Sequence, residues 1–442
     1  FAQGLADFVS TDSLTLEGGI PMISSEDIQG EEMDGSDENG EMVDNLDASS
    51  EENGSQFQEE PVVMFPSHAG VYFPAKYFQN DVDAQERLEH FQASVSGRPF
   101  ANWVLERDTE AFASDESLPL IEEEVAEGDL DILEESSETS SDPMAQGSRR
   151  VLVYCHIIRS LAAPLWPSGK AEGVKVAVLD TGLDRTNSLL MRGSMGGVSM
   201  IPYERSYMDY NGHGTHVSGI IAARPSIHRS GLPLYWSIAP AARHYTVKVL
   251  DRRGRGAWSW IARGIDAARV KGVDVINMSL GSRGRPPVVV HRAIQKAAKQ
   301  AVIVAAAGNS GPGANTVGWP ARYREVIGVG AVDCNRKIAS FSSRGPRDSR
   351  SFVEDHVECV APGVDIYSNQ LRGGSTRLTK KSGTSMASPV VAGICALLKQ
   401  KNRRLKGTWA FRYRLRRSFI DLGISGPDNW YGLGQAFFHG RS

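Results

Sequence analysis

From residue 149 onward, short apolar runs alternate with amphipathic segments, the pattern of a parallel sheet covered by helices. Residues 258–272 and 288–300 carry apolar positions at helical spacing and predict two covering helices. The runs with the length and composition of buried strands are 175–179, 244–250, 273–280, 301–307 and 326–332. The sequence therefore predicts an α/β domain over 149–442, whose reactive groups gather at the carboxyl ends of its strands.

The first 148 residues follow other patterns. Residues 1–60 are acidic and polar and contain no Lys or Arg, which predicts a disordered tail. Residues 61–115 combine short apolar runs with a helically spaced segment at 83–95, which predicts a small α+β module. Residues 116–148 are of acidic low complexity and predict an exposed linker.

Charge separates these two parts further. Residues 1–147 hold 36 of the 53 acidic residues but only four of the 48 basic ones, so their net charge is −32 and that of the remaining chain is +27. Two interpretations stay open: the opposite charges attract the two parts in a salt-dependent way, or each part is simply solvated.

Composition excludes several classes of protein. The chain has 442 residues, 41% of them hydrophobic and 23% charged, which suits a globular protein with a sizeable core. It contains no apolar stretch near the roughly 18 residues that span a bilayer, so no membrane partner is expected. The four cysteines, Cys155, Cys334, Cys359 and Cys395, lack CxxC spacing, which argues against a zinc site or a dense disulfide scaffold. Their disulfide state and the compartment stay open, and the opening residue, Phe1, gives no indication of export.

One carboxylate lies at the end of a predicted strand, and one histidine lies in a glycine-containing loop. Asp180 follows a strand within a DTG triplet, a mark of aspartic peptidases as well, but a single triplet in an α/β pattern does not suit that class. His213 lies between glycines in NGHGTHVSG, where it is a cleft histidine, a capping or core histidine or, with His216, half of a metal pair without a third ligand.

Two further polar residues follow at later strand and helix boundaries. Asn309 follows the buried strand at the end of AVIVAAAGN. Either its amide supplies donors for an oxyanion, or the residue simply forms the turn after the strand. Ser385 opens an apolar helix in SGTSMASP and is either a nucleophile or a helix cap. A G-x-S-x-G elbow is excluded because residue 387 is alanine, and the order Asp180, His213, Ser385 is the order of subtilisin.

The blocks VAVLDTG, NGHGTHVSG, INMSLGS, AAAGNSG, TVGWP and SGTSMASPVVAG closely resemble the signatures of the subtilases and run in the order of that family. The resemblance implies a subtilisin-like three-layer fold and a serine endopeptidase. It implies that Asp180, His213 and Ser385 form the triad, with Asn309 donating to the oxyanion.

The resemblance also implies how substrates bind. Gly254, Arg255 and Gly256 match one edge of the family's peptide cleft, and the opposite edge is matched by Ser279, Leu280 and Gly281. Gly318 matches the floor of the primary pocket, so we expect large apolar or aromatic side chains before the scissile bond. Arg255 suggests a preference for acidic residues farther upstream of the scissile bond.

Several further expectations rest on the family. Residues 61–115 are expected to be an inhibitory propeptide that the enzyme removes itself, and the protein is expected to be a secreted monomer without a nucleic-acid partner. No cofactor is needed for the chemistry, and a structural calcium ion stays open because the family's calcium loop is not recognisable over 224–238. A non-catalytic scaffold is the competing hypothesis, although such relatives usually lose a triad residue.

Overall fold

The computed structural model describes strands at 60–64, 72–74, 105–108, 110–113 and 130–135, and then residues 149–161, 166, 169–346, 357–372 and 374–439. The elements described all belong to one compact unit, Glu59–Lys76 together with Asn102–Ser442. The helix predicted over 83–95 and almost all of the predicted acidic tail lie outside the described residues. Within those described, no helix is long and apolar enough to cross a bilayer.

The order of elements alternates strands and helices through most of the chain. The strands are β1 Glu60–Met64, β2 Tyr72–Pro74, β3 Leu105–Asp108, β4 Glu110–Ala113, β5 Leu130–Glu135, β6 Arg149–Tyr154, β7 Lys175–Asp180, β8 Ser194–Ser199, β9 Ser226–Ile227, β10 Pro233–Tyr235, β11 Arg243–Lys248, β12 Arg255–Ala257, β13 Val275–Met278, β14 Leu280–Gly281, β15 Val302–Ala306, β16 Ile327–Val332, β17 Cys359–Pro362, β18 Ile366–Asn369, β19 Leu378–Lys381, β20 Phe419–Ile420 and β21 Gln435–Ala436. The helices are α1 Cys155–Ser160, α2 Ser188–Met191, α3 His213–Ala222, α4 Trp258–Val270, α5 Val288–Ala297, α6 Thr384–Lys401 and α7 Gly407–Leu415.

The central sheet has nine strands in the order β20-β21-β17-β16-β15-β13-β7-β11-β8. Its middle strands pair in parallel, with β13 between β7 and β15. Every residue of β13, β15 and β16 is buried, as expected for a parallel sheet covered on both faces. The five predicted strand runs and the two predicted helices are confirmed, with ends that shift by a few residues.

Successive residues of β7 divide between two hydrophobic cores. Val176 and Val178 belong to the core that includes Val391 of α6, whereas Leu179 belongs to the core that includes Ile261 of α4. Because side chains alternate across a strand, one sheet separates two helical layers. This is the predicted three-layer α/β architecture.

A second sheet, β5-β6-β10-β9, adds chain outside the central sheet. β5 lies inside the segment predicted to be an exposed linker and pairs antiparallel with β6, which pairs in parallel with β10. The register sets Glu134 opposite Arg150 and Glu135 opposite Arg149. The acidic composition therefore concealed a strand whose partners carry the complementary charge.

A disulfide bond fixes the chain that follows β6. Cys155, the first residue of α1, is bonded to Cys334, which lies just beyond β16. Cys359 and Cys395 are buried free thiols, and burial raises the pKa of both. The structure thus resolves the cysteine pairing that spacing left open.

Candidate active site

Asp180 and His213 meet at the carboxyl end of β7. Asp180 is the last residue of that strand and His213 the first residue of α3, and His213 Nδ1 lies 2.7 Å from Asp180 Oδ1. Both side chains are buried. Gly212 has a φ of +101°, a left-handed conformation that glycine adopts readily and that lets the chain enter α3 at the histidine. A short Asp–His contact of this kind fixes the orientation of the imidazole.

A buried carboxylate that the sequence did not single out joins the two segments. Asp209 accepts from the backbone N–H of Gly212 at 2.9 Å, the hydroxyl of Thr215 at 2.6 Å and the hydroxyl of Thr181 at 3.0 Å. Burial raises the pKa of Asp209, but hydrogen bonds from the backbone of Gly212 and Asn211 and from Thr215 outweigh it and hold that pKa below its usual value. Its position four residues before His213 is the available sequence signal, and it fits a residue capping the start of α3.

A buried lysine, Lys248, holds the backbone directly after Asp180. Lys248 Nζ donates to the carbonyl oxygens of Thr181 at 2.6 Å and Leu250 at 2.9 Å and lies 3.0 Å from the Glu204 carboxylate. Lys248 and Glu204 are almost fully buried. Through these two hydrogen bonds, Lys248 ties Thr181 to Leu250, just before the turn that leads into β12.

Ser385 lies in the first turn of α6 and is buried. Its hydroxyl donates to the carbonyl oxygen of Ser279 at 3.1 Å, and the Ser279 hydroxyl donates back to the Ser385 carbonyl oxygen at 2.9 Å. The start of α6 is therefore fixed against the strand edge at β13 and β14.

Asn309 approaches the same helix start from the end of β15. Its Oδ1 accepts from both the backbone N–H and the hydroxyl of Thr384, each at 3.0 Å. The buried Asn309 Nδ2 has no hydrogen-bond partner within the part of the chain that the structure describes. Because the oxygen of the amide is fixed to Thr384, an unsatisfied donor is held at the start of α6, where Ser385 follows directly. Thr384 is a further residue that the sequence did not single out, although it directly precedes the serine.

The two predicted cleft edges flank a single strand. β4 runs antiparallel between β12 and β14, with Phe112 opposite both Arg255 and Gly281. Ala113 lies opposite Leu280 and Ala111 opposite Gly256. The predicted edge residues Gly254 and Ser279 adjoin these pairs, so the structure brings both edges together around residues 110–113.

The cleft also has an apolar wall and a glycine at its side. Ala111 is fully buried in the same apolar cluster as Trp258 and Leu280. Gly318 donates its N–H to Ala307, the residue after β15, at 2.8 Å, and Trp319 exchanges backbone hydrogen bonds with Ser282 just past β14. Gly318 therefore lies between the strand that leads to Asn309 and the β14 edge.

The described residues contain no group of three or more His, Cys, Asp or Glu side chains that is arranged to hold a metal ion. His216 Nε2 lies 3.1 Å from the Thr379 carbonyl oxygen, and burial, then the charges of Lys381 and His213, lower its pKa well below the usual value. Residues 224–238, the location of the calcium loop in the family, contain no Asp or Glu and form β9 and β10 instead. These residues do not fit a calcium ion, which takes oxygen ligands, usually with carboxylates among them.

A model of the subtilase family, Peptidase S8, matches residues 171–434. The chain belongs to the subtilase family. Subtilisin BL of Lederbergia lenta is 43% identical over 268 residues, which are 60% of this chain and 88% of that protein. The M-protease of Shouchella clausii strain KSM-K16 is 38% identical over 335 residues, 72% of this chain and 78% of that protein. Among solved structures, sphericase is 31% identical with a TM-score of 0.55, covering 61% of this chain and 93% of that one.

This subtilase is a serine endopeptidase of the subtilisin type. The predicted fold and class of enzyme are confirmed, and the geometry brings Asp180 to His213 and Asn309 to the start of the Ser385 helix. The family match begins at residue 171, so β4, the β5–β6 hairpin and α1 lie before it.

Proposed function

We propose that Ser385 is the nucleophile that attacks the peptide carbonyl, with His213 taking the proton from its hydroxyl and returning it to the leaving amine. Asp180 orients the imidazole and stabilises its charged form through the 2.7 Å contact with Nδ1. The acyl-enzyme forms with loss of the amine, and water releases it by the same proton transfers in reverse.

The observation that carries this proposal is the unsatisfied Asn309 Nδ2, held beside Ser385 through Thr384. A buried donor without a partner costs free energy unless a group arrives to accept from it. The oxyanion of the tetrahedral intermediate is such a group, and the Ser385 N–H is the second donor. The chemistry needs no metal or cofactor, because these groups supply both proton transfer and charge stabilisation.

We further propose that the protein is made as a zymogen whose segment 61–115 is the propeptide. The support is β4, which occupies the cleft as an antiparallel strand between β12 and β14, as a bound peptide would. Gly318 leaves room for large apolar or aromatic side chains just before the scissile bond. Polypeptides are therefore the substrates, and the chain's own amino-terminal part is the first of them.

We propose that the enzyme works as a monomer outside the cytosol. The Cys155–Cys334 disulfide supports an oxidising compartment. Relatives carry names of both kinds: the minor extracellular protease Epr of Bacillus subtilis is 38% identical, and an intracellular serine protease of Paenibacillus polymyxa is 40% identical. Detection of the processed chain in the culture medium rather than the cell pellet is the expected result.

Labelling with a fluorophosphonate, which reacts only with an activated serine, tests the catalytic proposal. The processed chain is expected to be labelled at Ser385, and Ser385→Ala to be unlabelled and to stay full-length. Ser382→Ala, a change in the same loop outside the catalytic groups, is the matched control and is expected to label normally. A full-length chain that folds but resists the probe would favour the non-catalytic scaffold, and a processed Ser385→Ala chain would exclude self-cleavage.

A further inference from the structure

Arginines stand on both edges of the cleft. Arg255 is a half-buried residue of β12, and Arg283 and Arg285 are exposed residues that follow β14 directly. The Arg285 guanidinium lies 5.8 Å from the centre of the Trp319 ring, and Trp319 is bonded to Ser282 at the end of β14. This stacking keeps one cation close to the cleft edge.

The register of β4 shows which substrate positions share a face with Arg255. Residues directly opposite in an antiparallel pair share one face, so Arg255 shares a face with position 112, and position 110, two residues on, lies on that face too. Position 111 lies on the other face, where Ala111 is buried against apolar residues. A peptide in this register has every second residue on the face that Arg255 shares, and residue 110 of β4, which is a glutamate, occupies one of those positions.

Two acidic residues near the β12 edge, Asp251 and Glu204, have partners among the described residues. Asp251 Oδ1 accepts from the backbone N–H groups of Arg253 at 2.8 Å and Arg255 at 3.0 Å. Glu204 lies 3.0 Å from Lys248 Nζ and 3.6 Å from Arg252 Nε. Arg252 and Arg253 are themselves exposed in the turn before β12, so the edge carries a clear excess of positive charge.

Ser385 sets the distance from these positions to the bond that is cut. Its hydroxyl donates to Ser279, the residue before Leu280, and Leu280 lies opposite Ala113. A peptide bound in the register of β4 therefore places its next residue beside the serine. Counted back from the scissile bond, the position opposite Arg255 is the third residue and the position of Glu110 is the fifth.

We propose that this cleft selects polypeptides with acidic side chains at the third and fifth residues before the scissile bond, read by Arg255 and by Arg283 and Arg285. The proposal rests on the proposed peptidase function and names its substrate class. Exposed charge pairs contribute modestly, so two of them favour an acidic over a neutral peptide by about three- to tenfold at low salt. High salt removes the preference because the charges face water.

Matched fluorogenic peptides test this proposal with the purified active protein. The peptides differ only in Glu or Gln at the third and fifth positions, and kcat/KM is measured for each at low salt and at high salt. Glu peptides are expected to be cut faster at low salt, Arg255→Glu to reverse the preference, and Arg283→Gln/Arg285→Gln to weaken it. Arg404→Glu, in the turn between α6 and α7, is the control and is expected to leave the ratio unchanged.

The outcomes separate this inference from the function on which it rests. Equal kcat/KM for the Glu and Gln peptides at low salt, or an equal change in the Arg404→Glu control, overturns the acidic preference while the enzyme still cuts both peptides. Failure to cut either peptide, with no probe label on Ser385, overturns the peptidase mechanism instead. Probe labelling of Arg255→Glu shows that the variant is folded, so a lost preference is then one of recognition.

Discussion

At the carboxyl edge of the central sheet, Asp180, His213 and Ser385 each lie at the end of a strand or in the first turn of a helix. The sheet of β5, β6, β10 and β9 is held instead by backbone pairing, in which β6 pairs with the distant β10, and a disulfide fixes its continuation into α1. The first region depends on side chains placed by local structure. The second depends on cross-links between distant parts of the chain.

This difference separates the residues proposed to carry the reaction from those that stabilise the fold. The catalytic edge is linked by side-chain hydrogen bonds such as those of Asp209 and Thr384, so its variants are expected to change the reaction before they change stability. The added sheet contains none of the proposed catalytic residues, so its variants are expected to change stability before the reaction. Variants of each region test whether the two effects stay apart.

The largest effect is expected from removing the cross-link of the added region. Cys155→Ser/Cys334→Ser, made in the inactive Ser385→Ala chain, is expected to lower the free energy of unfolding by about 4 kcal/mol, because the bond closes a long loop in the unfolded chain. Urea unfolding measures the change, and the parent chain treated with a thiol reductant is the control. Identical midpoints for oxidised and reduced parent chains would show that the bond adds no stability.

The next effect tests the catalytic edge alone. Asn309→Ala is expected to lower kcat by about 10²- to 10³-fold with little change in KM, because we propose that its amide donates to the oxyanion and not to the ground-state peptide. Steady-state kinetics measures the split, and the unfolding midpoint is expected to stay close to that of the parent. A rise in KM at unchanged kcat would instead make Asn309 a ground-state binding residue.

The sequence predicts the central sheet, its covering helices and the positions of Asp180, His213, Asn309 and Ser385, because each lies in a short block whose pattern is complete locally. It does not predict β5, since acidic residues break its apolar alternation and its pairing partner β6 starts 14 residues after β5 ends. Nor does it single out Asp209 or Lys248, whose importance depends on buried contacts with Thr181. Roles that depend on tertiary contact leave little trace in local sequence.

A third effect sharpens the comparison through pH. His244 on β11 is buried, and both of its ring nitrogens lack a hydrogen-bond partner among the described residues. Burial, with a smaller contribution from the charge of Arg224, lowers its pKa to about 4. The unfolded chain binds this proton near pH 6.5, so stability is intact above that pH and is lost as the pH falls toward 4.

His244→Leu removes that titration. At pH 5 the parent chain is expected to have lost about 2 kcal/mol through this residue, so the difference in unfolding free energy between pH 7.5 and pH 5 shrinks by about that amount in the variant. Urea unfolding of the Ser385→Ala chain at the two pH values measures it. His156, whose burial also lowers its pKa to about 4, remains in both chains and keeps part of the pH dependence. An unchanged difference would mean that His244 accepts its proton without unfolding.

The smallest effect is expected from a metal chelator, and it joins the two regions. Residues 224–238 contribute β9 and β10 to the added sheet and contain no carboxylate, so we expect this segment to stabilise the fold through strand pairing rather than through a calcium ion. Treatment with EDTA is therefore expected to change kcat/KM by less than about twofold. The thermal unfolding midpoint is expected to change by no more than about one degree. Thermal unfolding of the Ser385→Ala chain with EDTA and with added calcium measures the effect. A clear calcium-dependent rise in the unfolding midpoint would place an ion elsewhere in the chain. The added sheet would then stabilise the fold alongside a calcium ion rather than in its place.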